Sequence, residues 1–86
     1  MTQPPAAEPP PYADLIEYMA KQIVRNPDAV TVTEELDGDR LVVRLLVQED
    51  DMGRVIGRGG RVAQAMRALL KAAAVQSGEH VALEIG

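Results

Sequence analysis

Residues 52–78 read MGRVIGRGGRVAQAMRALLKAAAVQSG and join two helical patterns at the glycine cluster Gly57–Gly60. This window contains no acidic residue. Its five cations belong to a chain whose net charge is -4, so the rest of the chain carries -9. Because local charge acts at contact even where the net field of a protein repels at long range, we expect this surface to bind an anion. The cations are Arg54, Arg58, Arg61, Arg67 and Lys71.

Apolar residues recur at helical spacing on both sides of the glycine cluster. The preceding pattern predicts a short helix over residues 51–56 that buries Met52, Val55 and Ile56. The following pattern predicts a helix over residues 61–76, which Gly78 ends. We expect one face of this second helix to be buried and the opposite face to be a polar stripe without acids. The buried set is Val62, Met66, Leu69, Leu70 and Ala73, and the stripe is Arg61, Gln64, Arg67, Ala68 and Lys71.

The upstream chain predicts one more helix and a hairpin. Residues 12–25 have apolar side chains on one helical face, and Asn26–Pro27 ends this helix because proline disfavours helical geometry at the preceding residue. Period-two alternation predicts strands over residues 30–36, 40–47 and 80–85, the first two joined by a turn at residues 37–39. The element order is α-β-β-α-α-β. We therefore predict an α+β fold, a three-stranded sheet with helices packed on one face.

The first eleven residues hold five of the six prolines and almost no apolar side chain to bury. We expect a disordered, proline-rich tail over residues 1–11 and a single domain over residues 12–86. The chain has no cysteine, which excludes disulfides and thiolate zinc sites, and we expect no cofactor. No run approaches the roughly 18 apolar residues of a membrane span. We expect a soluble, cytoplasmic protein without a membrane partner.

The remaining polar residues suggest structural roles. An acidic cluster precedes the short helix, and we expect Asp50 or Asp51 to cap the free N–H groups of that helix. A metal pair at these two residues is the alternative, but it lacks a third nearby ligand. His80 is the only histidine, and its position at the start of a strand indicates a surface residue. With one histidine, one serine and no cysteine, a nucleophile and its base are hard to assemble, so we expect no catalysis.

Three phosphate-binding motifs can be compared with the glycine cluster. A P-loop requires Lys and then Ser or Thr after its last glycine, whereas Arg61 and Val62 follow Gly60. A dinucleotide-binding motif that begins at Gly57 requires a small residue in place of Val62 and a strand where we predict a helix. The four-residue Gly-x-x-Gly loop, which joins two helices and clamps a nucleic-acid backbone, fits Gly57–Gly60 at each position.

Residues 12–85 resemble a KH domain of type II topology. The stretches VIGRGGR at 55–61 and RALLKAAA at 67–74 are similar to the small bacterial single-KH proteins of the KhpA/YlqC family. The resemblance covers all but the proline-rich tail. It implies a single-stranded RNA-binding protein that acts as an RNA chaperone or post-transcriptional regulator and clamps the RNA backbone with its Gly-x-x-Gly loop.

The resemblance also implies roles for the residues near the loop. Gly57 and Gly60 would let two helix ends approach closely, Gly59 would keep its position free of bulk, and Arg58 would reach phosphate oxygens. Bases would lie in a groove between this helical edge and the sheet, with residues of the second strand in its floor. Val55 and Ile56 either line that groove or pack in the core. The expected RNA-binding set is Arg54, Val55, Ile56, Gly57, Arg58, Gly59, Gly60, Arg61, Gln64, Arg67 and Lys71.

A single clamp of this kind binds few nucleotides, so useful affinity requires paired domains. The resemblance implies a homodimer, and also a heterodimer with a larger KH protein of the KhpB, Jag or EloR type. The contrast between the acidic chain and its basic window leaves a second function open. In that alternative the protein is an assembly subunit whose basic helix docks on an acidic protein partner.

Overall fold

The computed structural model describes residues 12–86, so the predicted proline-rich tail lies outside the described residues. Helices and strands follow in the predicted order. The helices are α1 (Tyr12–Ile23), α2 (Met52–Ile56) and α3 (Arg61–Ser77), and the strands are β1 (Thr31–Asp37), β2 (Arg40–Leu46) and β3 (His80–Ile85). Short 3₁₀ turns occur at Pro27–Ala29, Glu49–Asp51 and Arg58–Gly60. Within residues 12–86 no helix has both the length and the apolar content needed to cross a membrane.

The three strands form one sheet in the order β1-β2-β3. β1 pairs with β2 antiparallel across a hairpin turn in which Gly38 has φ 68°. β2 pairs with β3 in parallel, so that Val43 lies between Glu34 and Leu83. Parallel pairing requires a crossover connection, and α2 and α3 supply it. β2 is therefore the central strand, and β3 is an edge strand beside α3.

The apolar faces of the helices and strands meet in an aliphatic core on one side of the sheet. α1 packs over β1 and β2, and α3 packs over β3. Fully buried side chains include Ile16 of α1, Val43 and Leu45 of β2, and Met66 and Leu70 of α3. The predicted α+β architecture, a three-stranded sheet with helices on one face, is confirmed.

β2 is also covered on part of its other face, as its apolar residues on both faces predict. Val42 points to the face opposite the core helices, yet it is only 5% exposed. Arg44, which lies two residues along on the same face, pairs with Glu35 at 3.2 Å and with Glu84 at 2.8 Å. The register neighbours of Val42 in the sheet are Glu35 of β1 and Ala82 of β3.

Two predictions of burial are wrong. Leu69 is 47% exposed because it lies beside, and not on, the packing surface of α3. That surface is formed by Ala63, Met66, Leu70 and Ala74. Ile56 is 40% exposed, since α2 has only five residues and buries a single one of them, Val55.

Candidate nucleic-acid interface

The glycine loop, residues Gly57–Gly60, connects α2 to α3 through a turn that requires glycine at its first position. Gly57 has φ 78° and ψ 170°, a backbone region that residues with a Cβ rarely enter. A Cβ on Gly57 would lie 2.5 Å from Cγ2 of Val62 and 2.9 Å from its backbone nitrogen. The end of α2 therefore packs directly against the first turn of α3, as the family resemblance implies for Gly57.

Gly59 and Gly60 have a different reason to be glycine. Both adopt left-handed φ angles, 64° and 77°, but a Cβ on either would meet no atom within 4 Å. Their requirement is conformational, so close approach of the helix ends is not what requires glycine at Gly60. The loop backbone at these positions stays open to a ligand. α3 also begins without a side-chain cap, which leaves N–H groups of its first turn for solvent or an anion.

The polar side chains that the sequence assigns to RNA binding lie exposed along the loop and α3: Arg58, Arg61, Gln64, Arg67 and Lys71. Four of these five side chains are cations, and none of the four forms an ion pair among residues 12–86. By contrast, Lys21, Arg40 and Arg44 each pair with an acid. The cations of the acid-free window are thus unpaired on the folded surface, although Glu79 also lines the cleft beside Arg67 and Lys71, and their charge is available to an anion.

The three α2 residues of the predicted set differ in their positions. Arg54 is exposed, with its Nε 3.8 Å from Oδ1 of Asp51. Ile56 is exposed next to the loop, where it can contact a ligand. Val55 is fully buried in the core, so the structure excludes it as a contact residue. Its role is to hold α2 on the core.

A cleft of about 660 Å³ lies between the C-terminal half of α3 and the edge strand β3. Arg67 and Lys71 line it from α3, His80 and Val81 line it from β3, and Arg40 reaches it from the start of β2. On the sheet side this cleft is lined by β3, the edge strand, and by Arg40 alone of β2, so the groove floor expected from the second strand stays a prediction. Arg40 and His80 were missed by sequence reasoning, since only the parallel register places them side by side.

Asp51 is the one charged side chain that is buried within residues 12–86, and it does not cap α2. Its Oδ1 accepts a 3.0 Å hydrogen bond from the N–H of Arg25, and its Oδ2 accepts bonds of 3.0 Å from the N–H and Nδ2 of Asn26. The predicted capping role is wrong because the Asp51 backbone is itself helical, at φ -92° and ψ -7°, unlike a capping residue. The same bonds explain why α1 ends at Ile23, two residues earlier than predicted.

These hydrogen bonds also set the ionisation of Asp51. The N–H of Arg25 makes the largest contribution and holds the pKa of the Asp51 carboxyl below its ordinary value, with further help from Asn26. Burial acts in the opposite direction and does not outweigh them. The carboxylate is therefore kept charged inside the fold.

The connection from α3 to β3, at the end of the cleft, is held from α1. The hydroxyl of Tyr12 donates a 2.7 Å hydrogen bond to Oε1 of Glu79. Gly78 is left-handed, at φ 71°, and the N–H of Glu79 donates to the carbonyl of Ala74, which confirms Gly78 as the end of α3. Burial, and then the bond to Glu79, raise the pKa of Tyr12.

No group of three or more His, Cys, Asp or Glu residues that could hold a metal ion occurs within residues 12–86. The carboxylate of Asp51 is already engaged by three hydrogen-bond donors, which a bound cation would have to displace. The alternative of a metal pair at Asp50 and Asp51 is therefore not supported.

The family described as KhpA/KhpB, KH domain, matches residues 13–85. The chain is similar to the RNA-binding protein KhpA of Caldanaerobacter subterraneus subsp. tengcongensis, with 46% identity over 72 residues, which are 84% of this chain and 96% of that relative. The proteins of the same name from Treponema pallidum and Bacillus subtilis are 43% and 40% identical. These two matches cover 84% of this chain and 90% and 89% of the relatives.

Two solved structures of Era have a similar fold. Era of Aquifex aeolicus bound to GDP·AlF4⁻ matches with a TM-score of 0.58 and 21% identity. Era in complex with MgGDPNP and nucleotides 1506–1542 of 16S ribosomal RNA matches with a TM-score of 0.55 and 20% identity. Each match covers 86% of this chain, but only 29% and 28% of the Era chains. The likeness to the type II KH domain of Era confirms the predicted topology.

The family match includes the glycine loop, α3 and every strand. Its curated members are named RNA-binding proteins and not enzymes, which confirms the prediction of a non-catalytic protein. On this sequence match and this fold, the chain belongs to the KhpA/KhpB family of KH domains.

Proposed function

We propose that the chain binds single-stranded RNA and that its glycine loop clamps the RNA backbone. The observation that carries this proposal is the contact between Gly57 and Val62, which brings α2 against the first turn of α3 and leaves Gly59 and Gly60 open. Exposed cations without acidic partners flank this turn. The name shared by the relatives, RNA-binding protein KhpA, supports the same function.

In the proposed complex, one phosphate lies against the loop and the first turn of α3. The N–H groups and the dipole of that helix favour an anion at this position. Arg58 and Arg61 donate hydrogen bonds to the phosphate oxygens, with Gln64 beside them on α3. Arg67 and Lys71, further along α3, then guide the strand into the cleft. Charge-assisted hydrogen bonds of this kind are stronger than bonds between neutral groups.

The bases would meet aliphatic side chains and hydrogen-bond donors. The chain has two aromatic residues, of which Tyr12 is buried in the core and Tyr18 lies on α1 outside the cleft lining. Stacking on aromatic rings contributes about 1–3 kcal/mol per base in single-strand binding proteins, and no Tyr, Phe or Trp lines the cleft to provide it. A single domain should therefore bind RNA weakly and with little sequence preference.

Pairing of domains would raise the affinity, because a second site on the same RNA acts at a high effective concentration. We propose that the protein works as a homodimer or together with a larger KH protein of the KhpB, Jag or EloR type. The joint description of the family as KhpA/KhpB supports the second arrangement. The role would be that of a bacterial RNA chaperone or post-transcriptional regulator in the cytoplasm.

The test compares two variants that change the net charge equally. Arg58→Asp with Gly59→Asp places acids on the loop, and Asp tolerates the left-handed backbone of Gly59. Lys21→Glu with Gly38→Asp is the matched control, because Gly38 is also left-handed with nothing within 4 Å of an added Cβ. In a titration with labelled, mixed-sequence single-stranded RNA, the loop variant should lose binding and the control should bind like wild type.

Equal RNA affinity of the loop variant and the wild type would overturn the proposed function. A salt titration adds a second check, since about four phosphate contacts predict a slope of about -3 in a plot of log K against log salt concentration. Binding to an acidic protein without binding to RNA would favour the assembly subunit in its place.

A further inference from the structure

Asp51 is a buried carboxylate whose partners belong to a distant part of the chain. Removing a carboxylate from water is unfavourable unless hydrogen bonds or cations compensate for the lost hydration. Here the compensation comes from Arg25 and Asn26, which lie in the connection between α1 and β1. Asp51 therefore ties that connection to the start of α2.

The hydrogen bonds of Asp51 hold the start of α2, the helix that leads into the glycine loop. α2 begins directly after Asp51, has five residues, and has one buried side chain, Val55. Asp51 thus adds an anchor at the connection between α1 and β1 to the packing of Val55 in the core and of the end of α2 on α3. Because α2 has fewer than two turns, we expect its direction to depend on the Asp51 hydrogen bonds as well as on these packing contacts.

Arg54 lies next to the same carboxylate. It follows Asp51 by three residues, a spacing that places two side chains on the same side of a helix. Its Nε is 3.8 Å from Oδ1, and its side chain is 44% exposed. Oδ1 is itself fixed by the N–H of Arg25. The guanidinium therefore lies beside a fixed carboxylate oxygen, at ion-pair distance, and within residues 12–86 no hydrogen bond occupies its outer nitrogens.

We propose that Asp51 is a positioning residue for RNA binding, which orients Arg54 and holds α2 so that this guanidinium and the glycine loop meet the same RNA strand. The inference rests on the proposed binding of RNA by the loop. Two simpler roles predict different results. A purely electrostatic role predicts tighter binding when Asp51 loses its charge, because a negative charge beside RNA repels it. A role in stability alone predicts no dependence on Arg54.

The test uses Asp51→Asn in the wild-type and the Arg54→Gln backgrounds, with the same single-stranded RNA. We expect the substitution to lower the affinity of the wild type by about fivefold. The salt slope should shrink by about 0.7, the share of one phosphate contact on a single strand. In the Arg54→Gln background the change in affinity should be less than about twofold. Asp50→Asn removes an exposed neighbouring charge, and as the control it should not lower the affinity.

A second readout does not require RNA. The NMR signal of the Arg54 Nε–H group should move in Asp51→Asn and stay in place in Asp50→Asn. If Asp51→Asn does not fold, Asn26→Ala removes one of the three hydrogen bonds and should show the same dependence on Arg54 at smaller amplitude.

Unchanged or tighter RNA binding by the Asp51→Asn variant would overturn the inference. An equal loss of affinity in the two backgrounds, whether from Asp51→Asn or from Asn26→Ala, would also overturn it. Failure of the wild-type protein to bind RNA is a distinguishable outcome, because it would overturn the proposed function itself.

Discussion

Replacing Gly57 or Gly59 with Ala should lower the free energy of unfolding by different amounts. An added methyl group at Gly57 would lie 2.5 Å from Val62, whereas at Gly59 it would meet nothing within 4 Å. Gly57→Ala combines a steric clash with an unfavourable φ, and Gly59→Ala brings the unfavourable φ alone. In urea denaturation we predict that the free energy of unfolding falls by about 3 kcal/mol for Gly57→Ala and by about 1 kcal/mol for Gly59→Ala. Equal losses would contradict the steric role of Gly57.

The roles of some single residues could be predicted from the sequence, and those of others could not. The spacing of the glycines and the grouping of cations in a window without acidic residues could be predicted, because both are visible along the chain. The role of Asp51 could not, because a cap is a local interaction while its actual donors lie 25 and 26 residues earlier. Val55 and Ile56 could not be separated either, since a helix as short as α2 shows no reliable periodicity.

Among the elements, α3 has a packing face and a basic flank. Met66, Leu70 and Ala74 pack on the sheet, while Arg67 and Lys71 face the cleft. A continuous helix fixes the distance between these groups, so the position of the core determines the position of the cations. Helical spacing predicted both faces but placed Leu69 on the wrong one, because adjacent leucines at the margin of an apolar face cannot be distinguished without the packing partner.

The two leucines of α3 provide a direct test of this packing. Leu70 is fully buried and Leu69 is about half exposed. We predict that Leu70→Ala lowers the free energy of unfolding by about 3 kcal/mol, the range for a core leucine. Leu69→Ala should lower it by less than about 1 kcal/mol. Thermal or urea unfolding measures both, and a larger cost for Leu69→Ala would contradict the orientation of α3.

In the whole molecule, the parallel pairing of β2 and β3 is the feature that forms the cleft. It puts β3 at the edge of the sheet beneath α3 and thereby creates the cleft. The sequence predicted the number of strands and their order along the chain. Their pairing is a long-range property that periodicity does not report, and for this reason the sequence indicates only a surface position for His80 and does not place Arg40 beside it. The resemblance to type II KH domains supplied the topology that the residue pattern alone left undefined.

The stability of the whole fold should depend on pH through Asp51. The N–H of Arg25 is the main cause of the lowered pKa of its carboxyl, whose ordinary value is 3.8. Because the folded state holds the ionised form more strongly, this stability is fully present above about pH 4 and is lost as the pH falls through the lower folded-state pKa. Thermal unfolding below about pH 4 should therefore show a steeper loss for wild type than for Asp51→Asn. Parallel acid profiles would argue against this linkage.

The central claim, that RNA meets the glycine loop, is tested most directly by NMR with an isotope-labelled protein and a short single-stranded RNA. We predict that the amide signals of residues 57–61 shift on titration, together with those of Lys71 and His80 in the cleft. The signals of Glu35 and Arg44, on the opposite face of the sheet, should stay in place. Shifts on that opposite face with none in the glycine loop would contradict the account.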